Sequence, residues 1–290
     1  MRGATVCTLC LLATVASLAS MPAQASTRSL RVVQNEVAGL LAHPILRQAE
    51  VSVLVVSMES GRVVFSRDAQ KGLIPASNMK LVLVATALEL LGPDWDCSAL
   101  PGARPGETLA ELSGRILKPS DNDIADALMA LLPAAAGRPE LLPDQLCAET
   151  WGERELFLRV ERWPDGSGLS RAALLSAETA VKLLRYMANG RTRDAWMRAL
   201  PTSGRDGTLR LRMRGTAAEG RVRAKTGSLT GVSALSGYLV TSSGEQLVFG
   251  MIFNGFDCEL RRVRRLQDQL CAALVTLERE AVFAEEQPGH

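Results

Sequence analysis

Histidine is nearly missing from this chain, which has two copies, His43 and His290. His43 stands in an early loop before Pro44 and His290 is the last residue, so neither is placed to serve a hydrolytic serine. A Ser-His-Asp triad is therefore excluded. Aromatic residues make up only 4% of the chain, which leaves packing to Leu, Val and Ala. No excess of one charge exists either: 33 Lys and Arg face 31 Asp and Glu, a formal +2 at pH 7. Such a balance gives no ground to expect a nucleic-acid partner. Past the N-terminal region no run approaches the ~20 apolar residues of a membrane span. The cysteines lack metal-ligand spacing, and no metal or organic cofactor is expected.

What is present is 290 residues, 47% hydrophobic and 22% charged. That is enough for one large or two-lobed domain with a sizeable core. Met1-Arg2, the apolar stretch from Ala4 to Ser20 and the small-x-small site Ala23-Gln24-Ala25 read as a signal peptide over residues 1–25. Neither Cys7 nor Cys10 fits the pattern of a lipid-modified cysteine. The expectation is an exported, soluble protein of the periplasm or cell envelope, a single domain over 26–290 with a flexible tail at 285–290. Export permits disulfides among Cys97, Cys147, Cys258 and Cys271. Cys258 and Cys271 share one predicted helix and stand ~20 Å apart at ~1.5 Å per residue, beyond disulfide reach. A Cys97–Cys147 pair or four separate buried thiols remain.

Ile74-Pro75-Ala76-Ser77-Asn78-Met79-Lys80 opens a helix that continues through Leu91, with Gly92 and Pro93 as the stop. The helix is apolar nearly all round, so it should be buried. Ser77 and Lys80 sit three apart and share one face of its first turn, where a hydroxyl and an amine stand out. Upstream, Ser29–Leu46 has helical periodicity, and Val51–Val56 with Arg62–Ser66 form a hairpin. Downstream, helices are predicted over Thr108–Leu117, Ile124–Leu132, Glu149–Arg162, Ala177–Asn189 and Asp194–Leu200. Loops are predicted over Pro93–Pro105 and Pro133–Pro143. The period then changes to strands at Arg221–Ser228, Ser233–Thr241 and Gln246–Phe253, before a last helix from Asp257 past Leu277. Strands bracketing helices predict one mostly antiparallel five-stranded sheet flanked by helices (lobe 26–75 and 201–284) and an all-helical lobe (76–200). A site belongs in the cleft between them.

Without imidazole, a lysine of lowered pKa is the candidate base. Lys80 has the helix position, and Lys225 across the cleft would be the neighbouring cation. Lys225-Thr226-Gly227-Ser228 lies on a strand: Gly227 removes a side chain so that an extended substrate can lie against the edge. Lys225 and Thr226 offer charge and a hydroxyl to a carboxylate, and the N–H groups of Ser77 and Ser228 form a candidate oxyanion hole. Ser120-Asp121-Asn122 falls in a tight connection between helices. Ser120 can relay a proton to the leaving group, and Asn122 can hold Lys80 or the substrate amide. Each tripeptide alone is weak; the three in this order are a strong signal. The arginines Arg205, Arg210, Arg212, Arg214, Arg221 and Arg223 form either a solvated face or an attraction for anionic wall polymer.

S-x-x-K, S-D-N and K-T-G together are the signature of penicillin-binding proteins and class A β-lactamases. The chain resembles in particular the class C low-molecular-mass penicillin-binding proteins, D-Ala-D-Ala carboxypeptidases and endopeptidases of the penicillin-binding protein 4 type. Further likeness lies in Leu73–Lys80, Asp165-Gly166-Ser167-Gly168-Leu169-Ser170, Asp206-Gly207-Thr208-Leu209 and Lys225–Val232. The resemblance implies the two-lobed serine β-lactamase/DD-peptidase (transpeptidase-like) fold. It also implies Ser77 as acylated nucleophile, Lys80 as base, and peptidoglycan peptides ending in D-Ala-D-Ala as substrate, with β-lactams as covalent inhibitors. Relatives carry large domains between the first two motifs, whereas Ser77 and Ser120 are only 43 positions apart here, a shortened core. A β-lactamase or esterase on the same core, or a non-catalytic peptidoglycan-binding relative, would keep the same motifs. No E-x-x-L-N segment precedes the third motif.

Overall fold

Residues 27–152, 154 and 163–278 are described by the computed structural model. The expected signal peptide, the second half of the helix expected to end at Arg162 and the tail at 285–290 lie outside them. Five strands form one antiparallel sheet: β1 (Glu50–Ser57), β2 (Val63–Arg67), β3 (Val222–Leu229), β4 (Val232–Val240) and β5 (Gln246–Asn254), in the order β2-β1-β5-β4-β3. β3 is therefore an edge strand.

The strands alternate inward-facing residues between two faces. On one, Val51, Val53, Val55, Leu235, Phe249 and Phe253 are buried against α1 (Leu30–Leu41) and α8 (Leu260–Val275). On the other, Leu54, Val56, Ala234, Tyr238, Val248 and Ile252 join a second core with the helices of the chain's middle. Those are α2 (Met79–Leu91), α3 (Leu109–Leu117), α4 (Asn122–Ala135), α5 (Pro143–Gly152), α6 (Ala177–Asn189) and α7 (Arg193–Ala199). The helical part thus shares its core with one face of the sheet. Both Trp196 Nε1 and the Leu184 carbonyl bond the Tyr238 hydroxyl, at 2.8 Å and 2.6 Å, tying α6 and α7 to β4.

Local chemistry explains the boundaries. Thr108 caps α3 in a capping box with Glu111, and Asp121 caps α4 through the Ile124 N–H. Gly92 takes φ 81 to end α2. Two expectations are corrected. The helix expected from Glu149 begins at Pro143, because a proline in a first helical turn loses no hydrogen bond. The loop expected from Pro133 begins later, because α4 carries Pro133 in its last turn. No disulfide pairs the four cysteines: Cys97, Cys147 and Cys271 are buried free thiols and Cys258 is a half-buried one. His43 is structural, its Nδ1 accepting from the Ile45 N–H at 3.2 Å at the head of a short 3-10 turn. Among the described residues no helix is long and apolar enough to cross a membrane.

Candidate active site

Ser77 does not sit in the α-helix proper. It lies in a 3-10 turn, Ala76–Asn78, that leads into α2. Ala76 before it holds φ 47, a conformation costly for a residue with a Cβ. Ser120, between α3 and α4, is also strained at φ 67. Among the described residues, two of the four non-glycine residues with positive φ therefore fall in or beside the first two motifs. The segment entering the turn is clamped by Asn254 at the end of β5. Its amide accepts from the Ile74 N–H at 2.8 Å and donates to the Ile74 carbonyl at 3.0 Å, standing in for a strand partner.

Lys80 is fully buried. Its Nζ donates to Asn122 Oδ1 at 2.7 Å and lies 3.2 Å from Ser77 Oγ. A third bond, short, goes to the Ser167 carbonyl. Three partners match the three hydrogens of an ammonium. A neutral amine has two, which Asn122 and Ser167 take, leaving the lone pair directed at the serine. Burial lowers the Lys80 pKa to about 8, while the carboxylates of Asp126, Asp165 and Asp121 hold it from falling further. Lys225 is also fully buried. Its Nζ donates to Ser120 Oγ at 2.8 Å and to the Thr226 carbonyl at 2.9 Å. Burial, and then the charge of Lys80, push its pKa well down. The two amines expected from the sequence are thus brought to either side of the Ser77–Ser120 gap.

β3 forms the opposite wall. The Ala224 N–H donates outward, to the Pro201 carbonyl at 3.1 Å. By the two-residue alternation of a strand, the backbone groups of Thr226 and Ser228 turn to that same free edge. Gly227 also has a structural use. A Cβ there would meet the Pro75 carbonyl oxygen at 2.4 Å, so the glycine lets the strand lie directly on the serine's turn. Asn78 completes this contact, donating from Nδ2 to the Lys225 carbonyl at 3.2 Å. Thr226 Oγ1 meets Thr208 Oγ1 at 2.9 Å, and Ser228 Oγ accepts from Arg264 at 2.9 Å.

Sequence reasoning singled out Asp165–Ser170 but gave it no part. In the structure it is the third wall. Besides binding Lys80, the Ser167 carbonyl accepts from Ser77 Oγ at 3.3 Å. Gly168, at φ 78, would place a Cβ 2.2 Å from the Ala76 carbonyl oxygen. The turn is pinned by two aspartates. Asp126 on α4 accepts from the Ser167 N–H at 2.7 Å, and Asp165 accepts from the Ser170 N–H at 2.7 Å. The D-G-S-G spacing, two glycines around a serine after an acid, was the available signal. Asp126 carried none.

A profile of the D-Ala-D-Ala carboxypeptidase 3 (S13) family matches residues 33–99 and 106–276. A D-alanyl-D-alanine carboxypeptidase of Actinomadura sp. (strain R39) is 50% identical over 96 residues, 31% of this chain and 18% of that protein. A D-alanyl-D-alanine carboxypeptidase of Haemophilus influenzae is 31% identical over 192 residues, 60% of this chain and 40% of that protein. The chain therefore matches less than half the length of these relatives. In three dimensions it resembles penicillin-binding protein 4 from H. influenzae, solved with a β-lactam. The TM-score is 0.71 at 15% identity, over 84% of this chain and all of the other.

Proposed function

From the premise that the chain belongs to the D-Ala-D-Ala carboxypeptidase 3 (S13) family, we propose that it is an exported serine-type D-Ala-D-Ala carboxypeptidase and endopeptidase. It acts on peptidoglycan stem peptides through an acyl-serine intermediate and is acylated by penicillin. The observation that carries this reading is the Lys80 amine, stripped of water and 3.2 Å from Ser77 Oγ.

Neutral Lys80 takes the Ser77 proton as Oγ attacks the carbonyl carbon of the penultimate D-Ala. The tetrahedral oxyanion lies against the N–H groups of Ser77 and Ser228. Ser120, held by Lys225, passes its proton to the departing nitrogen and is resupplied with the proton that Lys80 took, so Lys80 is neutral again for the second step. The C–N bond breaks, and D-Ala leaves as an amine. Water then attacks the ester carbonyl, its proton goes to the base, and Ser77 leaves with a proton restored. The hydroxyl of Thr226 favours a carboxylate at the β3 edge. Asp165, fully engaged with its own turn, is a poor candidate to activate that water, so a penicilloyl ester persists.

Two measurements test the proposal. Incubation with labelled penicillin followed by intact mass should show one adduct that disappears in Ser77→Ala. Digestion of purified peptidoglycan should release D-Ala, read by mass spectrometry. An adduct that persists in Ser77→Ala would overturn the nucleophile. A digest releasing neither D-Ala nor cleaved cross-links would overturn the activity.

A further inference from the structure

The turn Asp206-Gly207-Thr208-Leu209 has no part in the steps above, yet it touches β3 and the loop of Ser120 together. Its root lies along β3. The Ser203 N–H donates to the Val222 carbonyl at 2.9 Å, and the Ala224 N–H donates to the Pro201 carbonyl at 3.1 Å. Residues 201–203 thus cover the first half of that strand's open edge. From there the turn crosses to the residues before Ser120. The Thr208 N–H donates to the Lys118 carbonyl at 2.9 Å, and Lys118 Nζ donates back to Asp206 Oδ2 at 2.7 Å. Asp206 Oδ1 accepts from the Thr202 N–H at 2.6 Å, so one carboxylate is tied to both sides. Gly207, at φ 52, makes the crossing possible: a Cβ there would meet the Lys118 carbonyl oxygen at 2.5 Å. Thr208 Oγ1 accepts from Thr226 Oγ1 at 2.9 Å, a second link to β3.

These contacts close a ring. It runs from Lys225 on β3 through residues 201–203, Asp206 and Lys118 to Ser120, whose Oγ returns to Lys225 Nζ at 2.8 Å. Ser120 stands two residues past Lys118 and holds φ 67, a conformation that persists only where the surroundings over-determine it. The side chains of Lys118 and Asp206 are 36% and 39% exposed, so their ion pair adds little to the stability of the fold. What it fixes is a position. Lys80 takes its bonds from Asn122, in the first turn of α4, and from the Ser167 carbonyl. Among the described residues, neither of those is bonded to the Asp206–Leu209 turn.

We propose that this turn sets the position of Ser120, with Lys118 and Asp206 as positioning residues for delivery of the Ser120 proton to the departing nitrogen. This rests on the peptidase reading and deepens it. An amide nitrogen must be protonated as its bond to carbon breaks. A thiolate leaves without a proton. The turn therefore matters for peptides and not for the matching thioesters, whose attack by Ser77 needs Lys80 alone.

The test sets wild type beside Asp206→Asn, Lys118→Met and Lys118→Arg, with Ser120→Ala as the reference for a lost proton donor and thermal midpoints recorded for all. Each is given an acyl-D-Ala-D-Ala peptide and the same acyl group on D-thiolactate, which differ only in the leaving atom and give the same acyl-enzyme. The readout is kcat/KM, which reports acylation. In Asp206→Asn and Lys118→Met the peptide value should fall about tenfold or more, as expected of a displaced proton donor. The thioester value should stay within about twofold, and the thermal midpoints should move little. Lys118→Arg, which keeps the charge, should recover most of the peptide rate, and Ser120→Ala should show the same split more strongly. Equal loss on peptide and thioester, or no loss on either, overturns the proposal while the peptidase reading stands. A wild type that cleaves no peptide overturns both.

Discussion

Lys80 has the environment of a base whose charge is expensive. Its amine is removed from water, and its hydrogen-bond partners are an amide oxygen, a carbonyl and the serine itself. With a pKa lowered to about 8, the neutral form needed for proton abstraction grows as pH rises. Ser77 acylation by penicillin should therefore climb through a single ionisation near pH 8. Asp126 opposes the drop in pKa. In Asp126→Asn, which can still accept from the Ser167 N–H, the climb should shift to lower pH. Acylation rates by rapid-quench mass spectrometry between pH 6 and 10 decide this, and a flat profile would remove Lys80 as base. The same shift has a stability consequence. Between about 8 and the ordinary 10.5 the unfolded chain binds more protons at this position than the folded one, so stability gained from Lys80 rises with pH across that window. Lys225 is more isolated still, with a hydroxyl and a carbonyl as its partners. Replacing it by the similarly shaped Met removes a buried amine and takes that donor from the Ser120 hydroxyl and the Thr226 carbonyl. Lys225→Met should raise the thermal midpoint by several degrees, on the order of 1–2 kcal/mol, while slowing acylation at least a hundredfold. A lowered midpoint would show instead that the amine holds the lobes together.

At the scale of elements, the site exists because three short segments touch where side chains would keep them apart. Gly227 of β3 lies on the Pro75 carbonyl, and Gly168 lies on the Ala76 carbonyl. Gly168→Ala would need both a left-handed φ and space that the Ala76 oxygen fills at 2.2 Å. The Asp165–Ser170 turn would have to withdraw, taking the Ser167 carbonyl away from Lys80. Acylation should fall by two or more orders of magnitude, with a stability loss of about 2 kcal/mol or more. Gly92→Ala is the matched control: its φ is also positive, at 81, but nothing stands within 4 Å of the added carbon. It should cost about 1 kcal/mol and leave acylation untouched. If both variants acylate alike, the close approach is not what positions the base. The same segments show what the sequence made legible. Helix Ala177–Asn189 was readable to the residue because Ser176 caps it and Gly190 stops it. The three late strands were readable within one or two residues because alternation and β-branched residues return after Arg221. Ser77, Lys80, Ser120, Asn122 and Lys225 were readable as motifs expected to meet across a cleft, but what enforces their meeting was not. It depends on glycines whose absent side chains face other segments, and on Asp126 and Asn254, ordinary residues in a helix and at a strand end.

For the whole molecule, the description as two lobes fits the chain order better than the packing. α2 lies in a core that also contains Leu54, Ala234, Val248 and Ile252 from the sheet. Separating the lobes would expose that common surface, along with the Trp196–Tyr238 bond. Three of the four tryptophans, Trp151, Trp163 and Trp196, are buried in this core. Fluorescence therefore reports the helical part, whereas far-UV circular dichroism weighs the sheet as well. In urea the two signals should follow one superimposable transition, as expected of a single cooperative unit. Since Cys97, Cys147, Cys258 and Cys271 are unpaired, added reductant should leave the midpoint in place. Two resolved transitions, with fluorescence lost before the sheet signal, would mean that the helices fold apart from the strands. The cleft would then be an interface between independent units, and its shape would depend on their docking. A single transition makes the geometry of the site as stable as the fold itself, because Lys80 belongs to the helix that both halves bury and Ser77 to the turn that leads into it.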